Sequence, residues 1–271
     1  MRGIFIIHTT TMNTLPPVPE TPQQPAEPQK RKSKAWIVWL IIGIVLGGGA
    51  LIFIILAALA YPVVSGMMAA GDYQVAADNL RQVGFALNNF KTDIKAYPCD
   101  ATAMHPHIRR AAEKHGEMTG STSNPYFRQL FYKIRGGVNE ENFYAPMPDF
   151  MLADSYTGVG ETLKAGECAF SYVMRKPGDR DDSFRPVNKG PLAMCGTIPS
   201  DTPTALPNVG FDLVVFGGKA CAVTTDGQVI ILEEDVHLQE VDGKGCFLPG
   251  AENNIFRTDI QDYVNLSPET F

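Results

Sequence analysis

The chain has 271 residues, with 23 Lys and Arg against 29 Asp and Glu, for a net charge of −6. No basic patch follows its apolar N-terminal run, which argues against nucleic acid as a partner. Five cysteines (Cys99, Cys168, Cys195, Cys221 and Cys246) all lie after that run, which fits a domain on the oxidising side of a membrane. Their odd number leaves at least one thiol unpaired or intermolecular, and spacing alone does not give the connectivity.

Residues 1–34 read as a disordered tail. PPVPETPQQPAEPQK is rich in Pro, Gln and Glu and buries too little apolar surface to fold. The tail closes on KRKSK, Lys30 to Lys34 apart from one arginine and one serine. Positive residues flanking a membrane helix stay in the cytoplasm, so the tail is expected inside and the rest outside. The run WIVWLIIGIVLGGGALIFIILAALAYPVV follows. It exceeds the roughly 20 residues that a helix needs to cross a bilayer core, and a transmembrane helix is predicted over 35–64. A cleaved signal peptide would carry a shorter apolar core, about 7 to 15 residues. Gly43 and Gly47 to Gly49 lower helix propensity in water but are tolerated in membranes.

The stretch YQVAADNLRQVGFALNNFKTDIKAYP continues the helix with a different pattern. Ala76, Leu80, Val83, Leu87, Phe90, Ile94 and Tyr97 alternate steps of four and three, which places them on one face. Asp78, Arg81, Asn88, Lys91 and Asp93 fall outside that stripe. A spine helix over 65–97, covered by everything that follows, is the expectation. Tyr97-Pro98 should end it, because proline lacks the amide donor and disfavours helix in the residue before it.

ILAALAYPVV, followed by an amphipathic helix ending in KAYP, resembles the N-terminal helix of type IV pilins and of the G-type pseudopilins of type II secretion. The resemblance runs from Trp36 to Pro98 and is weaker beyond. It implies an α+β fold, with a long transmembrane-to-spine helix packed on an antiparallel sheet. It further implies a single-pass inner-membrane protein, N-terminus in the cytoplasm, with a pilin-like periplasmic domain over 65–271. Its function would be that of a structural or interaction component of a type II secretion or type IV pilus-like system. The membrane, other pilin-like or secretion-system proteins and further copies of the chain are the partners this implies. The family's processing motif is missing. Aligned on Pro62, the family's glutamate falls at Val45 and its glycine cleavage site between Leu40 and Ile41. An uncleaved, permanently anchored member is therefore expected.

Further along, HIRRAAEKHG reads as a short helix. Cys99, His105, His107 and His115 lack the closely fixed spacings of a zinc site. Ser123-Asn124-Pro125 is a helix-start signal for NPYFRQLFYKI, with Phe127, Leu130, Phe131 and Ile134 on its buried face and Gly136-Gly137 as its stop. NEENFYAPMPD reads as extended. Its FYAP resembles stretches after such a helix in the G-type branch.

A β-rich region is expected over 168–246. CAFSYVM reads as a strand, and RKPGDRDDSFRPVNKGPLAM as a loop. Asp179, Asp181 and Asp182 within it lack the ligand spacing of a calcium loop. KACAVTT-DG-QVIIL reads as a hairpin with a two-residue Asp226-Gly227 turn, Thr225 opposite Gln228 and Val223 opposite Ile230. FDLVVFG should add a third strand, and IFRTDIQDYV a last short helix. There is no internal repeat. A disulfide is expected, with Cys221 its first participant and Cys246, Cys168 or Cys195 its mate.

The sequence carries no nucleophile elbow, zinc-protease helix motif, phosphate loop or paired-cysteine redox motif. No catalytic, cofactor-binding or metal-binding residue is assigned, no cofactor is expected, and the chain reads as a non-enzyme. The alternative reading is an anchored module that binds a glycan or a protein without a secretion role, with Tyr126, Phe143, Tyr144 and Tyr156 as its aromatic lining.

Overall fold

The computed structural model of the chain describes residues 35–133, 138–153, 162–178 and 183–271. The predicted disordered tail, the Gly136-Gly137 stop, the aspartates of 179–182 and Tyr156 lie outside the described residues. The chain divides into two units, Met1–Leu56 and Ala57–Phe271. In the first, the apolar residues of helix α1 (Ala35–Ile94) cover nothing: Trp39 is 72% and Phe53 is 73% exposed. This is the helix that is long and apolar enough to cross a membrane.

The second unit is α+β. The stripe predicted on α1 is its buried face. Ala76, Leu80, Val83, Leu87 and Phe90 are buried, and Ile94 packs against them half-buried. The helix stops three residues earlier than Tyr97. Lys95 takes the left-handed conformation (φ 71°) that usually falls to glycine after a helix, and its amide donates to the Lys91 carbonyl at 2.8 Å. Tyr97 is then free to turn inward, where its hydroxyl lies 3.0 Å from the Thr225 carbonyl and 2.9 Å from Asn88 Oδ1.

Three short helices follow: α2 (Asp100–Ala103), α3 (Pro106–His115) and α4 (Asn124–Arg128). The start signal at Ser123-Asn124-Pro125 marks α4, but neither polar side chain caps it. Ser123 Oγ donates to the Phe170 carbonyl at 2.8 Å, and Asn124 Nδ2 donates to the Leu163 carbonyl at 3.0 Å. Both tie the helix to other segments instead. Gln129–Tyr132, expected in the same helix, tightens to a 3-10 turn, and Ile134 lies outside the described residues. NEENFYAP is not extended throughout: Glu140–Phe143 forms a 3-10 turn closed by Asn139 and Asn142.

Among the described residues, nine strands build the β part: β1 (Phe170–Arg175), β2 (Arg185–Pro186), β3 (Pro191–Cys195), β4 (Thr204–Ala205), β5 (Lys219–Thr224), β6 (Val229–Glu233), β7 (Leu238–Val241), β8 (Lys244–Phe247) and β9 (Tyr263–Leu266). The main sheet is antiparallel, in the order β4-β9-β1-β3-β5-β6, with β2 beside β1. β7 and β8 form a separate ribbon. Val223 of β5 meets α1 at Gly84. Tyr172, Ala193 and Val223 lie across from one another in register, so they share the face that the spine covers. Val173, Met194 and Ala222 alternate with them and are buried as well. The central strands are thus covered on both faces.

Several expected elements are corrected. PLAM is not loop but β3, the strand beside β5. FDLVVFG is not a strand. Phe211 makes isolated bridges to Thr197 and Gly245, and a turn follows in which Val214 is exposed and the Asp212 carboxylate accepts from its amide. IFRTDIQDYV, Ile255 to Val264, is not one helix: α5 (Ala251–Phe256) ends just inside it, and Tyr263–Leu266 is β9, next to β1. The β-rich region therefore reaches Leu266 rather than Cys246.

The β5–β6 hairpin exists, one residue out of the expected register. Val223 pairs with Val229 and Ala222 with Ile230. The Thr224 amide donates to the Gln228 carbonyl at 2.9 Å, which leaves a three-residue loop in which Gly227 (φ 80°) has positive φ and Asp226 does not. That is the turn-plus-bulge solution, the next commonest after the two-residue turn. The true two-residue turn is at Asp242-Gly243, where both φ angles are positive (52° and 77°) and Val241 pairs with Lys244.

Candidate functional site

Several titratable groups of the second unit are committed to the fold. Asp100 accepts from the Tyr126 hydroxyl at 2.7 Å and from the Phe184 amide at 2.7 Å. Burial, and next the bond to Asp100, raise the Tyr126 hydroxyl well above the usual phenol range. Burial likewise pushes Tyr97 up to about 12 and the Cys168 thiol up to about 12. These groups stay protonated at neutral pH and supply neither a base nor a thiolate. Arg128 is buried: its Nε lies 2.6 Å from the Thr162 carbonyl and its guanidinium 3.6 Å from Glu269. Glu269 in turn accepts from Thr122 at 2.7 Å, so this knot fixes the C-terminal segment.

On the surface, Asp93 accepts from the Tyr132 hydroxyl at 2.7 Å and from Lys133. The hydrogen bond from Lys133, then that from Tyr132, hold its carboxyl below the ordinary value. The cluster clips the end of α1 to the 3-10 turn at Gln129–Tyr132 and is solvated, as a structural ion pair is.

Among the described residues, no group of three His, Cys, Asp or Glu side chains could hold a metal ion. His105 and His107 lie ring to ring, 5.4 Å between centroids, while Cys99 is buried and His115 meets Thr162. Of the aromatic lining expected for a glycan site, two residues belong to the core and Tyr144 is half-buried. Tyr126 and Phe143 are fully buried, and the Tyr126 ring stacks 6.0 Å from Tyr172.

One concavity was not indicated by the sequence. A cleft of about 600 Å³ opens beside the β5–β6 turn and is bounded by Lys189, Asp226, His237 and Arg257. The segment carrying Lys189 is held against the turn by the Thr225 amide, which donates to the Gly190 carbonyl at 2.9 Å. His237 Nδ1 accepts from the Glu233 amide at 3.2 Å, which fixes the ring at the cleft. Thr224 donates to Asp226. This lining offers hydrogen-bond donors and one carboxylate to a polar ligand. Lys189 and Arg257 are too far apart in sequence, and too ordinary as loop cations, to have flagged it.

In this structure all five cysteines stand as thiols. Cys246 does not face Cys221: its cross-strand partner is Gln239, whereas Cys221 sits opposite Cys195 and Ile231. The first-named mate for Cys221 is therefore corrected.

No protein-family model, curated protein or solved structure matches this chain. What the molecule itself establishes is an α+β domain headed by a helix long and apolar enough to cross a membrane.

Proposed function

We propose that the chain is a pilin-like envelope protein without enzymatic activity, serving as a structural or interaction component of a type II secretion or type IV pilus-like system. The observation that carries this reading is the double use of α1. Its first part is apolar and covers nothing, and its last part, through Leu80, Val83, Leu87 and Phe90, is the buried spine of an antiparallel β domain. Soluble α+β domains have no use for an uncovered apolar extension of this length, and a bilayer does. The basic run at Lys30 to Lys34 supports an inner-membrane anchor with the N-terminus in the cytoplasm and the domain in the periplasm. Working contacts with the membrane, with other pilin-like or secretion proteins and with further copies of the chain follow from this reading.

The test is deletion of the gene in its own host, with the secreted proteins and surface filaments compared before and after and restored by complementation. Loss of either is expected. An unchanged secretome together with unchanged filaments would reject the secretion role.

The cleft beside the β5–β6 turn favours a second reading, an anchored binding module for a glycan or a protein with no secretion role. Binding of the detergent-solubilised protein to arrayed glycans, lost on Arg257→Ala, would support it over the first.

A further inference from the structure

Three of the five thiols have settled partners outside any disulfide. Cys99 Sγ accepts from Thr102 Oγ1 at 3.6 Å, Cys168 Sγ donates to the Phe170 carbonyl at 3.5 Å, and Cys246 stands across from Gln239 on the β7–β8 ribbon. Cys195 and Cys221 are different. They lie directly opposite each other on neighbouring antiparallel strands, β3 and β5, and both are fully buried. Directly opposed residues on antiparallel strands have Cα atoms about 4.5 or 5.5 Å apart, depending on the type of pair. Both values fall within the roughly 4.4–6.8 Å over which a disulfide closes. The two side chains also leave the sheet on one side, because cross-strand partners share a face.

That juxtaposition depends on one irregularity. Pro191 pairs with Thr224, yet Ala193 pairs with Val223, so Leu192 is an extra residue in β3. Without it, Cys221 would face Met194, and Cys195 would point to the other side of the sheet. The bulge is what brings the two sulfur atoms together.

We propose that Cys195 and Cys221 form an intrachain disulfide that staples β3 to β5 beneath the spine helix and closes the loop from Gly196 to Ala220. Two S–H bonds break and one S–S bond forms. Two protons go to solvent, and two electrons reduce the disulfide of a thiol–disulfide oxidant to two thiols, through a mixed disulfide. In the finished fold both thiols are inaccessible, and burial, followed by the bond to Cys221, raises Cys195 well above the ordinary thiol range. The exchange therefore belongs to the folding chain, before α1 covers the site. Tyr73 marks that cover: burial, then Cys221 and Cys195, raise its hydroxyl.

That an oxidant reaches this chain in the cell rests on the periplasmic reading above. The experiment separates the two. The full chain is synthesised cell-free into lipid nanodiscs, once in a buffer of oxidised and reduced glutathione and once in dithiothreitol. Each product is alkylated under denaturing conditions, digested and mapped. The oxidised sample should yield a peptide pair linked through Cys195 and Cys221, with Cys99, Cys168 and Cys246 alkylated. It should also melt higher than the reduced one, a difference that Cys195→Ser removes. Alkylation of both Cys195 and Cys221 in the oxidised sample, or a link from Cys221 to any other cysteine, overturns the proposal. The same map is then made from cells expressing the chain. A pair linked in nanodiscs but alkylated in cells upholds the disulfide and rejects the oxidising location.

Discussion

A Cβ placed on Gly84 of α1 would lie 2.5 Å from Cγ2 of Val223 on β5. The spine helix and the sheet meet at this point with no side chain between them on the helix side. Valine is stiff about χ1, so its methyl cannot swing away as the end of a longer side chain could.

Gly84→Ala should therefore destabilise the protein, although alanine is the better helix former. The gain in propensity is about 1 kcal/mol and the overpacking cost is about 1–3 kcal/mol, for a net loss of roughly 1 kcal/mol. Val223→Ala makes room for the added methyl, so the double variant should lose less than the two single losses combined. Denaturant melts of the detergent-solubilised protein decide it. Additive losses would mean that the two residues do not touch.

The stripe on α1 makes a second, steeper prediction. Leu87 and Phe90 are buried at 0% and 2% exposure. Leu87→Ala should cost about 2–5 kcal/mol and Phe90→Ala about 3–5 kcal/mol. Lys91→Ala, which the periodicity puts on the solvent side and expects to be silent, should cost about 0.5–1 kcal/mol. Its Nζ sits 4.4 Å from the centroid of the Tyr97 ring. The exposed Gln82→Ala is the better silent control. A fragment beginning at Tyr97 should be unfolded. Cooperative melting of that fragment at the parent temperature would make α1 a mere stalk.

Stability should also fall on mild acidification through His115. Its ring is buried, with Nδ1 2.8 Å from Thr162 Oγ1. Burial, helped by the neighbouring Lys114, lowers its pKa below the ordinary imidazole value. The unfolded chain then takes up the proton first. The contribution is present in full above the unfolded value of about 6.5. It is lost as pH falls from there towards the lower folded value. Melting temperature should drop as pH falls below about 6.5, and more gently in His115→Gln, which keeps hydrogen-bonding groups but does not titrate. Parallel profiles for the two proteins would remove His115 as the cause.

The N-terminus supplies a fourth test. With Val45 in the place of the glutamate of type IV pilins, and Leu40 where they carry glycine before the cleaved bond, the chain should stay uncleaved after membrane insertion. Mass spectrometry of membrane-extracted protein should find peptides from upstream of Lys34. A mature chain starting near Ile41 would show that it is processed as pilins are and would bring filament assembly back into play.

Much of this was legible in one dimension. The break from an uninterrupted apolar run to a four-three stripe separates the uncovered part of α1 from its buried part, because helix periodicity needs no tertiary information. The stripe from Ala76 to Phe90 follows from spacing alone. The strands were harder. PLAMC reads as loop because β3 is covered on both faces and so lacks the alternation that marks a half-buried strand. FDLVVFG reads as strand by composition, but Gly217 and Gly218, both with positive φ, turn the chain before it can pair. Two Asp-Gly pairs occur in the chain, and the less obvious one, at 242–243, makes the two-residue turn.

The sequence by itself determined a membrane-length apolar helix, an amphipathic spine, and a β-rich remainder, since each is a matter of local pattern. Only the tertiary structure decided register: the three-residue loop that sets Val223 against Val229, and the bulge at Leu192 that sets Cys195 against Cys221. A shift of one residue turns every side chain of a strand to its other face. Which shift is taken depends on how two distant strands and a helix pack together, and no stretch of the chain read alone contains that.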